Sequence, residues 1–424
     1  MARQMKESGI EWIGEIPEAW QRDKVVRTFS LIGSGTTPKS TDEEQYGGTI
    51  NWIQSGDING GVMSSCKNTI TEQTLQEYSA LKVYQAPFII LAMYGASVGN
   101  LSISTIDGCV NQACCVLSMS KCNFQYAFYT LKAAKEYLLQ KAVGGGQPNI
   151  SQDIIRSLWT PQPELEEQHR IADFLDRRCA EIDAVIERTK ATIEEYKKLK
   201  QAVITEAVTK GVRGPRPMKD SGIEWIGEIP EEWEVLPHKY VMHKDKSICE
   251  HYAGEDIISL TMNGVIVRDL TAGGKMPTTF DGYQYVEPDD MLLCLFDIDV
   301  TPRCVGIVRN YGVTSPAYSR FKVHVGYYNA YYDYLLRFID DEKVFIHLSK
   351  NLRSSLTETD FGAIKTISPS YDEQVEIAIY LDEKCAAIDT LIAKKTALLT
   401  ELETYKKSLI YEYVTGKKEV PACP

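Results

Sequence analysis

Fifteen residues near the start of this chain return in its middle. KESGIEWIGEIPEAW, from Lys6 to Trp20, reappears as KDSGIEWIGEIPEEW from Lys219 to Trp233, with two positions changed. A longer repeat follows: Glu167 to Thr209 aligns without gaps to Glu373 to Thr415, at a spacing of 206 residues. The shared positions include Glu167/Glu373, Gln168/Gln374, Ile171/Ile377, Leu175/Leu381, Cys179/Cys385, Asp183/Asp389, Ile186/Ile392 and Val208/Val414. Repetition of this kind constrains a fold more than any local propensity, because two copies of one pattern must find equivalent environments. The stretches between the repeats, 21–160 and 234–368, have little in common. The order is therefore short motif, variable domain and helix, twice over.

The repeated helices carry a 4-3 apolar spacing. It runs through Ile182, Ile186, Ile193, Tyr196, Val203 and Ala207 in one copy, and Ile388, Ile392, Leu399, Leu402, Leu409 and Tyr413 in the other. Such a seam predicts a coiled coil. Two like helices in one chain are natural partners, so an intramolecular antiparallel pair is expected. Lys200 and Lys406 share one seam position, and Thr189 and Lys395 another. Polar seam residues fix register at some cost in stability. A helix over 180–209 spans roughly 45 Å, against ~34 Å for a turn of DNA, and could hold two heads a fixed distance apart. Gly211 to Met218 (GVRGPRPM) ends the first helix.

The expected fold is mixed α/β (α+β), duplicated with pseudo-two-fold symmetry. Its segments are 1–165, a first variable domain with its short motif; 166–211, a helix; 212–370, a second domain; and 371–424, a second helix. Within the domains, Val83 to Met93 and Val286 to Phe296 read as strands, and Phe124 to Val143 and Asn329 to Leu348 as helices. Trp12, Trp20, Trp225 and Trp233 read as packing anchors.

Composition excludes several classes. Of 424 residues 44% are hydrophobic and 25% charged, as in ordinary globular proteins. No apolar run approaches the ~18 residues that cross a bilayer, and the N-terminus does not read as a signal peptide. The 11 cysteines are scattered without a C-x-x-C and the six histidines do not cluster near them. Reduced thiols, no metal site and a cytoplasmic location are expected. The net charge is -12, and residues 1–160 hold 13 basic and 14 acidic side chains, residues 212–368 17 and 23. That balance argues against a solitary DNA binder and suits a subunit whose partner supplies part of the grip.

Catalytic motifs are weak. Gly95-Ala96-Ser97-Val98-Gly99 matches the nucleophile-elbow pattern formally, but a tight turn after a strand explains it. Pro288-Asp289 with Asp341-x-Lys343 formally fits a metal nuclease, yet Asp289 and Asp290 read better as a strand-entry turn. There is no phosphate-cradling loop, no adenosylmethionine loop and no Asn-Pro-Pro-Tyr tetrapeptide. No catalytic residue is expected. An interaction scaffold with two protein-binding heads is the alternative, and an autonomous nuclease or esterase the third.

What remains are polar, glycine-containing loops with the side chains that contact base edges and phosphates. The candidate DNA-binding residues are Thr37, Lys39, Ser40, Asp57, Gln147 and Asn149 in the first domain. In the second they are Thr261, Asn263, Arg268, Asp297, Asp299, Thr301, Arg303, Tyr318 and Arg320. Asp297 and Asp299 could accept from cytosine or orient Arg303. Gly35-Thr36-Thr37-Pro38, Trp52, Gly56-Asp57, Asn111-Gln112 and Glu167-Gln168 resemble specificity subunits of type I restriction-modification systems. Leu260-Thr261-Met262-Asn263-Gly264 and Phe296 through Arg303 resemble another recognition subtype of that family. The resemblance covers nearly the whole chain.

It implies that each variable domain reads one half of a split, asymmetric site in double-stranded DNA. The helices would set the spacing and dock two methylation subunits, which carry S-adenosylmethionine. ATP-using restriction subunits, with Mg, would join. No cofactor would be bound by this chain.

Overall fold

The computed structural model describes residues 3–144, 148–262, 264–271, 277–301, 303–349 and 354–421. The chain gathers into two compact units, Met1–Thr189 with Ala397–Pro424, and Lys190–Thr396. Both divisions fall inside long helices, Leu165–Lys210 and Tyr371–Val414. Each unit thus contains one variable head, the start of the helix that follows it and the end of the other helix.

In the first unit, the head is built on a five-stranded sheet in the order Phe29–Gly33, Cys114–Ser120, Phe88–Ala92, Leu101–Ser104, Val62–Met63. A three-stranded sheet, Cys109–Val110, Tyr46–Ile53, Asn68–Ile70, completes it. The central strand Phe88–Ala92 is buried along its whole length, as a continuous apolar run between covered faces requires. The expected helix over 124–143 divides at Ala134 into Phe124–Ala133 and Lys135–Gln140.

The second head has two four-stranded sheets. One runs Met242–Lys244, Ser319–Val323, Met291–Leu293, Val305–Ile307. The other runs Gly264–Val267, Ile257–Thr261, Gly312–Thr314, Gln284–Val286. The single strand expected over 286–296 is two strands, one in each sheet. Pro288 cannot donate to a ladder, and Asp289 adopts a left-handed φ of 74°, so the chain turns there. The expected helix over 329–348 breaks at Lys343, φ 58°, giving Asn329–Asp341 and Val344–Leu348.

The repeated N-terminal motif folds the same way in both units. Met5–Ile10 pairs with Gly14–Pro17, and Met218–Asp220 with Glu228–Pro230, both antiparallel. Each ribbon delivers a tryptophan to the core: Trp20 and Trp233 are both 1% exposed. The Trp20 indole donates to Glu167 Oε2 at 2.9 Å, the Trp233 indole to Glu373 Oε2 at 3.1 Å. Arg3 stacks over Trp20 and Arg216 over Trp233 while each pairs with the same glutamate. The packing role expected of Trp20 and Trp233 is what the structure shows.

The helix segments within each unit pair antiparallel. In the first, the Phe174 ring lies 4.5 Å from Tyr413 and Lys406 Nζ donates to Asp183 at 2.5 Å. In the second, Lys200 Nζ donates to Asp389 at 2.7 Å, and Ile204 and Val208 share a core with Ile377 and Leu381. The seam residues Ile182, Ile186, Ile193, Ile388 and Leu409 are buried, and Val203, Ile392 and Leu399 are half-buried. Lys200 and Lys406 satisfy their charge across the pair.

Each head is fastened to its helices by matched hydrogen bonds. Tyr126 OH donates to the Val414 carbonyl and Tyr331 OH to the Val208 carbonyl, both at 3.1 Å. These acceptors lie in the last turn of a helix, where carbonyls lack intrahelical partners. Tyr129 OH donates to Asp176 and Tyr334 OH to Asp382, both at 2.7 Å. The Gln168 side chain accepts from the Asn123 amide and that of Gln374 from the Tyr328 amide, both at 2.8 Å.

Candidate nucleic-acid interface

In the first head, three loops converge at one end of the sheet. Thr37 Oγ1 donates to Gln112 Oε1 at 2.5 Å, Ser34 Oγ donates to the Gln112 carbonyl at 3.5 Å, and the Met93 carbonyl accepts from the Ile150 amide at 2.8 Å. The loop over 33–40 is pinned from inside. The Trp52 indole donates to the Thr36 carbonyl at 3.2 Å and Tyr46 OH to the Pro38 carbonyl at 2.9 Å. Gly35 is required there, since a Cβ would lie 1.7 Å from the Val110 carbonyl oxygen. With the backbone held, Thr37, Lys39 and Ser40 are exposed. Asn149 is exposed, its backbone bridged to Val143. Gln147 lies outside the described residues. Gln112, which the sequence marked only as part of a motif, is the hub of this cluster.

Asp57 has a different task from the one expected. Its carboxylate accepts from the Gln54 amide at 2.8 Å and the Lys67 amide at 3.3 Å. One bond on each oxygen closes the turn, so Asp57 shapes the loop that carries it.

In the second head, the antiparallel hairpin Ile257–Thr261 with Gly264–Val267 meets the loop over 297–303. Arg303 Nη1 donates to the Met262 carbonyl at 3.2 Å and Nε to the Val305 carbonyl at 2.8 Å. Arg303 is half-buried, so it braces the hairpin tip. Its hydrogen bonds go to carbonyls and not to Asp297 or Asp299. Asp297 takes a left-handed φ of 46° and its carbonyl accepts from Thr301 Oγ1 at 2.8 Å, which ties Thr301 into the turn. Asp299 is exposed. Thr261 Oγ1 donates across the hairpin to the Gly264 carbonyl at 2.9 Å. Arg268 is half-buried near Tyr318, and the Tyr318 carbonyl accepts from Gln284 Nε2 at 2.6 Å. Asn263 lies outside the described residues.

Arg320 requires a correction. It is 2% exposed and lies among carboxylates, with Asp290 at 2.5 Å, Glu287 at 3.3 Å and Asp245 at 3.5 Å. A guanidinium so placed supports the sheet and cannot reach a base. The burial that pushes the Asp290 carboxyl up is opposed by Arg320 itself.

The acidic balance of the second head is uneven along the chain. Residues 257–268 and 300–332 contain no carboxylate, whereas 281–299 contain Asp281, Glu287, Asp289, Asp290, Asp297 and Asp299. The segregation that average charge concealed places the hairpin and Arg309 in acid-free sequence.

The elbow-like turn does not bring Ser97 to a histidine. Ser97 Oγ donates to the Ser55 carbonyl at 2.8 Å, and His169 bonds Asn123 instead. Among the described residues no group of three His, Cys, Asp or Glu side chains is placed to hold a metal ion, and no helix is long and apolar enough to cross a membrane. The described cysteines are free thiols, with burial pushing Cys109 up to about 11.

Comparisons with known proteins agree with this geometry. Residues 17–195 match the family model described as the type I restriction modification DNA specificity domain. A protein of Methanocaldococcus jannaschii, assigned as the type I restriction enzyme MjaX specificity subunit, is 24% identical over 96% of both chains. The MjaVIII specificity subunit of the same organism is 28% identical over 54% of this chain and 50% of its own. A chain from a solved structure concerned with assembly and conformational transition of the type I R-M system superposes with TM-score 0.71. It covers 95% of this chain and 99% of that one at 15% identity, a likeness of fold.

Proposed function

We propose that this chain, a specificity subunit of the type I restriction-modification family, reads a bipartite, asymmetric DNA site. Each head takes one half. The chain directs two methylation subunits and the restriction subunits to that site and performs no catalysis of its own. S-adenosylmethionine, ATP and Mg belong to those partners.

One observation carries the reading. The two units repeat the tryptophan, tyrosine and glutamine joints between head and helix, while the loops at the head surfaces share almost nothing. Conserved joints with divergent faces suit two readers of different sequences on one scaffold. Lys39, Ser40 and Asn149 in the first head, and Arg268 and Asp299 in the second, are the exposed or half-exposed groups we assign to DNA. Thr37 acts with Gln112. Asp57, Thr301, Arg303 and Arg320 shape the loops that carry the others. Phosphate contacts would set position and base contacts sequence.

The test is genome-wide adenine methylation in a host carrying this chain with its methylation subunit. A new split motif, methylated on both strands, is expected. Exchanging residues 234–368 for another member's second domain should change one half of that motif and leave the other. A change in both halves, or no motif despite a soluble complex, overturns the reading.

A further inference from the structure

We infer that the tip of the hairpin formed by Ile257–Thr261 and Gly264–Val267 enters the DNA major groove and that Met262, at that tip, reads the methyl group of a thymine. This rests on the DNA-reading function proposed above and adds a specificity residue that the polar-loop argument passed over.

The hairpin is held firmly near its tip. The pair Leu260 and Val265, one step from the turn, sits against Gly306, where a Cβ would come within 2.8 Å of Val265 Cγ2 and 3.0 Å of Leu260 Cδ1; glycine admits so close a seat. At its tip Gly264 adopts φ 102°, a conformation open to glycine at little cost. The Thr261 hydroxyl crosses the turn to the Gly264 carbonyl, and Arg303 holds the Met262 carbonyl from the neighbouring loop. With its backbone fixed on both sides, the Met262 side chain is 72% exposed. Among the described residues Met262 belongs to none of the hydrophobic clusters of this head.

The surroundings fit DNA. Across 257–268 the only charged residue is Arg268, within a chain of net charge -12. A projecting element free of carboxylates can pass between phosphate strands that the acidic segments of this head would repel. Gly264–Val267 is an edge strand of its sheet, and Ile266 and Val267 are exposed on it at 43% and 40%. Strand Ile257–Thr261 is paired on its other side only at Ile257 and Ile258, so beyond them the hairpin is two-stranded, the form that fits the major groove, where the thymine C5-methyl group is the apolar mark on an otherwise polar edge. Methionine, unbranched and polarizable, adapts to such a contact. Arg303 is on this account a positioning residue, acting through the Met262 carbonyl.

The experiment uses the complex of this chain with its methylation subunits and duplex probes of the site found by methylation sequencing. Each thymine in the half-site of the second head is replaced in turn by deoxyuridine, which removes only the methyl group. Wild type should lose about four-fold in affinity at one thymine, the worth of one buried methyl. M262A should bind the thymine probe about as weakly as wild type binds the uracil one, and be indifferent to the exchange. R303A should blunt the same position without relaxing a guanine. Assembly with the methylation subunits, and the sensitivity of binding to base changes in the first half-site, should be unchanged in both variants. Equal sensitivity in M262A and wild type, or no sensitive thymine in that half-site, overturns the inference while leaving the two-head reading intact. Failure of the wild-type complex to bind any split site overturns both.

Discussion

In the first unit Tyr126, Tyr129, Trp20 and Gln168 fasten the head to its helices, and in the second Tyr331, Tyr334, Trp233 and Gln374 make the same bonds. Between those joints the heads part company. One is built on a five-stranded and a three-stranded sheet, the other on two four-stranded sheets. The first presents a pinned loop with Thr37, Lys39 and Ser40, the second a braced hairpin with Met262. A joint has a fixed partner inside the molecule, so a change on one side leaves a buried donor or acceptor unpaired, at about 1–3 kcal/mol. A face has its partner outside, and can vary without that internal cost. The duplicated parts of this chain are those with internal partners.

The comparison is broken most severely at the joints. Trp20→Ala and Trp233→Ala should each cost about 3–5 kcal/mol, the range for emptying a buried tryptophan site. The two costs should agree to within about 1 kcal/mol, since both indoles are equally buried and both donate to a glutamate; chemical denaturation of the two variants measures this. A large inequality would mean that the repeated motif no longer does the same work in both units.

Arg320 sharpens the contrast because its buried ion pair belongs to the second head alone. Arg320→Ala leaves Asp290 buried without its partner and should cost about 3 kcal/mol. The loss should appear in denaturation and leave the salt dependence of DNA binding unaltered. A reduced salt slope with unchanged stability would restore Arg320 to the DNA face.

The smallest difference is one of pH. His238 is fully buried against Phe361, its Nδ1 bonded to the Ile364 carbonyl, and burial depresses it to about 4. Above its unfolded value of ~6.5 both states are neutral and pH has no effect through this group. Between there and about 4 the unfolded chain takes up a proton that the folded chain refuses. The second unit should therefore lose stability on acidification by up to about 1.4 kcal/mol per pH unit. Among the described residues the histidine of the first unit, His169, is exposed, so that unit has no buried counterpart to His238. Denaturation of wild type and His238→Gln between pH 7 and 4.5 tests it, with a flatter profile expected for the variant.

The sequence by itself determined the duplication, the two long helices and their seam, the polar seam lysines and the tryptophan anchors. These depend on periodicity and identity, which a linear string carries intact: Lys200 and Lys406 stand at equivalent positions before one knows that each finds an aspartate. It also marked the regions that carry the candidate interface, the loops around Thr37 and Lys39 and the stretch from Leu260 to Gly264. What it could not settle was which polar side chains in those regions face outward. Arg320 and Arg303 look alike in sequence to any guanine-reading arginine. The first is buried among carboxylates contributed by Asp245, Glu287 and Asp290, the second is turned to the Met262 carbonyl, and those partners lie 30 to 75 residues away along the chain for Arg320 and 41 for Arg303. Asp57 is claimed by two backbone amides in the same way. Only the tertiary structure decided these, because whether a charged group is spent internally depends on neighbours brought by the fold and not by the chain.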